Sequence, residues 1–410
     1  MHPKIMSNAI PRKPYAFERS GNGAYFYLQN DRKTLDLSSQ TVNLLFGHNH
    51  PKIINAVKSQ LDQFLFADED FSTRLNVEAI NELYQNLPSY LNLINFRMND
   101  ASSAVECAIK LARRVTGKPK VLTCDGIYLG QNQQTINMRG WGKPRKDISI
   151  GSYEDVIFCP QPFSLESDHC SNLDFALSQI QNIIREHKNE LACVILDPVM
   201  LSSGGFASEI MKQFICESNA MCLENNIIYI LDESQSYGWV EDVTLTKHWG
   251  LNTDILILGK GVAGGLPLSV CAAKECFDGL IRGDADYTHG GHPLSMAALR
   301  EVSKLIRETD ESFRALVSSL KSHMDHLNEY RDVVVYGEGL IWGIKICKYN
   351  QHEENILHAQ RVAKWLLDNG IYVRTYSNCL GIKPPRVIDI NTLIYAINKT
   401  IEAVSINFNK

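Results

Sequence analysis

The sequence predicts an α/β protein: a large domain built on a mostly parallel central sheet, followed by a smaller α+β domain. Two observations carry this. Short apolar runs recur, and each empties into a polar or glycine-containing turn, as buried parallel strands do: Lys120–Cys124, Cys193–Leu196, Asn226–Leu231 and Asp254–Leu258. Beyond about residue 308 the pattern changes, and amphipathic helices near 311–327 and 353–367 alternate with strands near 333–336, 340–347 and 371–375. The chain of 410 residues is long enough to bury a large core and to hold a cleft. The expected division is an N-terminal segment, 1–50, packing with the small domain, then the large domain, 51–300, and the small domain, 301–410.

Composition excludes several classes of function. Lys and Arg total 41 against 46 Asp and Glu, a formal net charge of -5. No basic block or interleaved aromatic and basic run is present, so no nucleic-acid partner is expected. The basic residues near the start are not followed by an apolar core, and no window is apolar for the length of a bilayer, so neither secretion nor a membrane span is expected. Eleven cysteines are dispersed, and the nearest pair, Cys271 and Cys276, lacks zinc-ligand spacing. Reduced thiols in the cytoplasm are the expectation.

Taken in order, Ala24–Leu28 and Thr34–Leu37 predict a hairpin closed by an Asn-Asp turn at 30–31. The turn Gly47-His48-Asn49-His50-Pro51 opens a helix to about Phe64, with proline in the first turn. Its two histidines have no third ligand nearby, which favours a conformational role over a metal site. Ser103 and Glu106 have capping-box spacing at the start of a helix that stops at Gly117. The N–H groups of that helix start suit a phosphate, with Ser102 or Ser103 adding a hydroxyl, although an ordinary capped helix would read the same way. Tyr128 follows the strand 120–124 and could stack on a flat ring or simply fill the core. Residues from about 138 to 166 are the least regular part of the large domain. Thr288, in the turn before a helix that runs to about Glu308, is placed to offer a hydroxyl to an anion.

The chemistry concentrates where two strands end. The run Asp254–Leu258 gives way to Gly259-Lys260-Gly261, so Lys260 sits at the mouth of an apolar strand, where an amine is easily desolvated and can attack a carbonyl. The run Asn226–Leu231 ends in Asp232. An amine and a carboxylate at one sheet edge are the pair that pyridoxal phosphate requires: a lysine to form a Schiff base with the aldehyde, and an acid to keep the ring nitrogen protonated.

Together these stretches resemble the class III aminotransferases, a fold type I pyridoxal phosphate family that includes ornithine, acetylornithine and 4-aminobutyrate aminotransferases. The likeness runs from the hairpin near Ala24 to Pro384-Pro385, with motifs in the family's order. It implies ping-pong amino transfer with Lys260 as the Schiff-base residue, Asp232 on the ring nitrogen, Gln235 near the phenolic oxygen and Tyr128 stacked on the ring. It also implies that the Ala101-Ser102 backbone holds the phosphate, and that Thr288 reaches the phosphate of a neighbouring subunit in a homodimer.

This chain also departs from the family pattern. Ser234 stands where valine is common, Leu129 where histidine is frequent beside the stacking aromatic, and Asp197 where glutamate is usual. Gly381 replaces an arginine that grips the substrate carboxylate, and Gln131 replaces a second. These losses predict an unusual substrate, an amine, amino aldehyde, or peptide- or carrier-linked carbonyl without a free α-carboxylate, with Lys383 or Arg386 as candidate substitutes. Other readings are an aminomutase, epimerase or decarboxylase on the same scaffold, and a non-catalytic protein that kept the fold. A dinucleotide oxidoreductase is disfavoured because no Gly-x-Gly-x-x-Gly turn follows an N-terminal strand.

Overall fold

The structure is a computed structural model that describes residues 6, 9, 17–29, 31–138, 155–163 and 172–408. The irregular stretch expected from 138 to 166 lies mostly outside them. The chain opens with β1 (Phe17–Asn22), β2 (Tyr25–Leu28) and β3 (Arg32–Asp36), an antiparallel meander containing the expected hairpin. Next come β4 (Leu93–Met98), β5 (Lys120–Cys124), β6 (Val156–Cys159), β7 (Leu191–Leu196), β8 (Ile228–Asp232), β9 (Ile255–Leu258) and β10 (Ser269–Ala273). The last set is β11 (Val333–Glu338), β12 (Ile341–Ile346), β13 (Ile371–Tyr372), β14 (Arg374–Tyr376) and β15 (Cys379–Ile382).

Strands β4 to β10 form one seven-stranded sheet in the order β4-β10-β9-β8-β7-β5-β6. The five from β9 to β6 are parallel, while β10 runs antiparallel to both its neighbours. Every residue of β7, β8 and β9 is buried, as expected of a sheet covered on both faces, and this explains their unbroken apolar sequences. The helix Ala101–Thr116 packs on the sheet through Ala104, Ala108 and Ala112, whose short side chains allow close approach.

That helix starts differently from the sequence expectation. The cap is Asp100, whose carboxylate accepts from the Ser103 backbone N–H and the Ser103 hydroxyl, each at 3.1 Å. The aspartate outcompetes the predicted Ser103–Glu106 box because it takes the Ser103 N–H and engages the serine hydroxyl itself. The far end closes as predicted, with Gly117 in the left-handed conformation at φ +66° and its N–H on Arg113 O.

The first histidine of the His48–His50 turn has a conformational role. His48 Nε2 lies 3.0 Å from Asp36 Oδ2, and the same carboxylate accepts from the backbone N–H groups of Ser38 and Gln40 and from Gln40 Nε2. Asp36 thereby holds an unusual backbone. Ser39, Gln40, Thr41 and Val42 have φ values of +44°, +47°, +65° and +62°, a left-handed turn without glycine. Each such residue costs roughly 1–2 kcal/mol, so the turn persists because its surroundings over-determine it.

In the C-terminal part, β11-β12-β15-β14 form an antiparallel sheet. The short β13 instead joins the N-terminal meander, pairing in parallel with β3 through Leu35 and Ile371. The helix Ile390–Ser405 was not anticipated from the sequence, although Asp389 caps it by accepting from Thr392 N at 3.0 Å, a legible signal. No helix among the described residues is long and apolar enough to cross a membrane. The ten described cysteines are free.

An ionic contact ties β11 to the loop after β8. His248 Nδ1 is 2.9 Å from Asp242 Oδ2, and its Nε2 is 3.5 Å from Glu338 Oε1. The hydrogen bond to Glu338 is the main cause that pushes the imidazole up to about 9, with Asp242 and Glu241 adding to it against the opposing effect of burial. A folded-state value above the unfolded one gives a stabilisation that is complete below about pH 6.5 and is lost as pH rises through about 9. Thermal melts from pH 6.5 to 9.5 are expected to show the wild-type Tm falling by a few degrees relative to His248→Gln. Parallel curves would show that the contact does not hold the two parts together.

Candidate active site

The parallel strands deliver their C-terminal ends to one edge of the central sheet. Asp232 closes β8 opposite Ile257 of β9, and Lys260 follows β9 two residues beyond its end, with φ +45°. Both side chains line a cavity of about 360 Å³, together with Asn43, Ala101, Ser102 and Tyr128. The structure thus brings Lys260, Asp232, Tyr128, Ala101 and Ser102 to one cavity.

The charges here are held in a desolvated setting. Burial lowers the Lys260 amine, opposed by the nearby charges of Asp232 and Asp197. Burial also raises Asp232, opposed by Lys260 and by two hydrogen bonds from Ser234, whose N–H and hydroxyl donate to Oδ1 at 3.0 and 2.5 Å. The other oxygen, Asp232 Oδ2, accepts no hydrogen bond among the described residues. Beneath it, Asp197 is pushed up to about 6, mainly by burial and then by the charge of Asp232. Gln235 Nε2 donates to Asp197 Oδ2 at 2.8 Å, so Gln235 is fixed below the cavity instead of lining it.

Another part of the cavity wall is a cradle of backbone donors. Ala101 and Ser102 begin the helix Ala101–Thr116, whose first N–H groups lack intrahelical partners. Gly130 faces them with φ +129°, and a Cβ there would lie 2.4 Å from Ser102 Oγ, so any other residue would crowd the cradle. Gln131 braces this wall: its N–H donates to Ser102 Oγ at 3.2 Å and its Nε2 to Tyr128 OH at 2.7 Å. Thr288 is not brought in; it is exposed on the loop before the helix Pro293–Glu308. Asn43 was missed from sequence because the left-handed turn that carries it to the cavity has no glycine to announce it.

These residues fit pyridoxal phosphate. An open carboxylate oxygen can take a ring N–H, a desolvated amine can hold an aldehyde, and the cradle suits a phosphate.

Comparison with known proteins agrees with this arrangement. Residues 7–404 match the family model for aminotransferase class-III. The chain is 28% identical to the acetylornithine aminotransferase of Methanopyrus kandleri over 331 residues, 80% of this chain and 79% of that protein. It is 25% identical to the LysW-aminoadipate semialdehyde/glutamate semialdehyde transaminase of Sulfurisphaera tokodaii over 334 residues, 80% of each. Among solved structures, taurine:2-oxoglutarate aminotransferase from Bifidobacterium kashiwanohense superposes with a TM-score of 0.86 at 21% identity, over 98% of this chain and 95% of that one, which establishes a shared fold. The chain belongs to the class-III aminotransferase family and is a pyridoxal phosphate-dependent aminotransferase of fold type I.

Proposed function

We propose that this aminotransferase acts on an amine or carbonyl compound whose reacting carbon carries no free α-carboxylate, such as an amino aldehyde or a peptide- or carrier-linked substrate. The observation that carries this reading is the glycine at 381, where the family places a carboxylate-gripping arginine, joined to Gln131, whose amide is spent on Tyr128. The name of the Sulfurisphaera tokodaii relative, which specifies a LysW-linked semialdehyde, is consistent with a carrier-linked substrate.

In this reading each residue has a defined task. With pyridoxal phosphate bound, Lys260 would hold its aldehyde and carry a proton to or from the substrate carbon on its Nζ. Asp232 Oδ2 would accept from the ring nitrogen, while Ser234 keeps Oδ1 oriented. Tyr128 would offer its ring face to the cofactor and Ala101 and Ser102 their N–H groups to its phosphate, while Gln235 fixes Asp197. Pyridoxal phosphate, when bound, supplies the electron sink for breaking the bond at the substrate carbon.

The active unit is proposed to be a homodimer with shared sites, in which Thr288 serves the partner's phosphate. Apolar side chains exposed near that loop support this: Phe66 is 42% exposed and its ring lies 5.7 Å from that of His289, while Leu65 and Phe71 are 58% and 67% exposed. The proposed domain division is 1–50, 51–300 and 301–410, and the pairing of β3 with β13 supports grouping the N-terminal segment with the small domain.

The purified holoenzyme is expected to show a visible cofactor band that is lost on borohydride reduction, with the reduced cofactor covalently attached to Lys260. Lys260→Ala should retain cofactor without that attachment; a wild-type protein that never develops the band would sink the cofactor roles. Asp232→Asn is expected to keep the cofactor yet lower kcat by about 100-fold or more, since the ring nitrogen loses its charged partner. A donor panel should favour amines lacking an α-carboxylate, and strong turnover of glutamate or alanine with tight 2-oxoacid binding would refute the substrate reading.

A further inference from the structure

The surroundings of Gly381 are closed. A Cβ built there would lie 2.8 Å from Tyr376 Cε2 and 3.2 Å from Phe206 Cε1, so these two rings, packed edge to face, form an aromatic wall. Lys383 is fully buried, with its Nζ donating to Tyr376 OH at 3.1 Å. Arg386 is turned inward onto the Phe313 ring and the carbonyls of Gly238 and Ile306. Arg374, the cross-strand partner of Gly381, donates to Thr41 Oγ1.

A separate group of titratable side chains stands where the loop after β8 meets β11. Glu241 comes from that loop, His248 from the end of the short helix Leu245–His248, and Glu338 from the last position of β11. Each contributes one nitrogen or oxygen atom, and these atoms lie within 4.8 Å of one another. They meet because the backbones interlock. Leu340 N donates to Trp239 O at 2.8 Å, and a Cβ at Gly339 would lie 2.2 Å from that same oxygen, so the close approach requires glycine. From the other side, the buried Glu233 carboxylate fixes the helix that carries His248, accepting from the N–H groups of Leu245 and Thr246 at 2.6 and 2.7 Å.

Three details suit a metal ion better than a simple ion pair. His248 Nδ1 is engaged by Asp242 Oδ2 at 2.9 Å, which leaves Nε2 to the cluster; a carboxylate behind the imidazole is the arrangement that orients a metal-ligating histidine. The 3.5 Å between His248 Nε2 and Glu338 Oε1 is long for a hydrogen bond, yet it matches the spacing of about 3.3–3.6 Å between neighbouring ligands of a tetrahedral ion with bonds of about 2.0–2.2 Å. Glu241 Oε2 is buried and has no hydrogen-bond partner among the described residues, so an acceptor is left for a cation. The nearby protein cations are engaged elsewhere or distant: Arg314 pairs with Asp242 and Asp310, while Lys212 and Lys321 act on Glu338 through their charge.

We propose that Glu241, His248 and Glu338 form a binding site for a divalent ion of the zinc type, with water in the fourth position and Asp242 supporting the imidazole. Two carboxylates and a neutral imidazole balance the charge of the ion, and the nitrogen ligand disfavours Mg2+ and Ca2+, which prefer oxygen. In the metal-free protein a proton on Nε2 faces Glu338, and the ion takes the place of that proton. None of the three ligands lines the cavity of Lys260 and Asp232. The ion is therefore structural: it fastens β11 to the loop after β8.

Calorimetric titration of the tag-free, chelator-treated holoenzyme with Zn2+ tests this. One saturable site per chain is expected, with Mg2+ and Ca2+ far weaker, and Zn2+ should raise the Tm by a few degrees. Glu241→Gln, His248→Gln and Glu338→Gln should each weaken Zn2+ by about 100-fold or more and abolish the Tm rise, while Asp242→Asn weakens it by about tenfold. Cys276→Ser, which removes an exposed thiol, should bind Zn2+ as the wild type does. The three ligand substitutions lie on separate elements, and a cooperative melt of each variant in chelator establishes that it is folded. Zinc-edge anomalous diffraction should place the ion among the three side chains. No saturable Zn2+ binding by the wild type, wild-type affinity in the folded ligand variants, or an anomalous peak only at another position would overturn the assignment.

Discussion

The structure depends on keeping an amine and a carboxylate out of water at the end of two neighbouring strands. Removing either charge from solvent is costly, and only their mutual attraction and a few hydrogen bonds offset the cost. Much of the surrounding fold serves that pair. The parallel order of β8 and β9 brings Asp232 and Lys260 to the same edge, and the completely buried strands provide the low-dielectric floor. Ser234 uses both its N–H and its hydroxyl on one carboxylate oxygen, leaving the other open to the cavity. The serine that departs from the family pattern thus has a defined electrostatic effect: it favours the ionised form of Asp232.

A second layer of organisation runs through Asp36. Far from the central sheet in sequence, this carboxylate gathers donors from Ser38, Gln40 and His48 and so imposes a left-handed turn on four residues that do not favour it. The turn then contacts Arg374, Lys383 and the cavity wall. The N-terminal meander, the C-terminal antiparallel sheet and the cavity wall meet at this turn.

Much of this was legible in the sequence because it follows from local rules. Apolar runs ending at Asp232 and Lys260 reveal parallel strands and their functional edge, and Gly117 marks a helix end through its backbone freedom. The Gly-His-Asn-His-Pro turn, with no third ligand near its histidines, read as conformational, and His48 is a clamp on Asp36. The cap at Asp100 was misplaced because two serines and an aspartate competed for one helix start, and spacing alone does not rank them. Two features were not legible at all. Asn43 reaches the site only through a turn whose residue types do not predict it. Arg374 acquires its relation to Gly381 from the register of β14 against β15, a pairing that no local pattern encodes.

The aromatic wall beside Gly381 bears on how such an enzyme can change over evolutionary time. Tyr376 and Phe206 occupy the space that a side chain at 381 would enter, and Tyr376 also accepts the hydrogen bond donated by the buried Lys383 amine. A single codon change to arginine at 381 is not accommodated in this background, because the newcomer meets packed rings and displaces the partner of a buried amine. The order of substitutions at 381, 376 and 206 is therefore constrained by packing: room has to be made at 376 or 206 before a large side chain fits at 381.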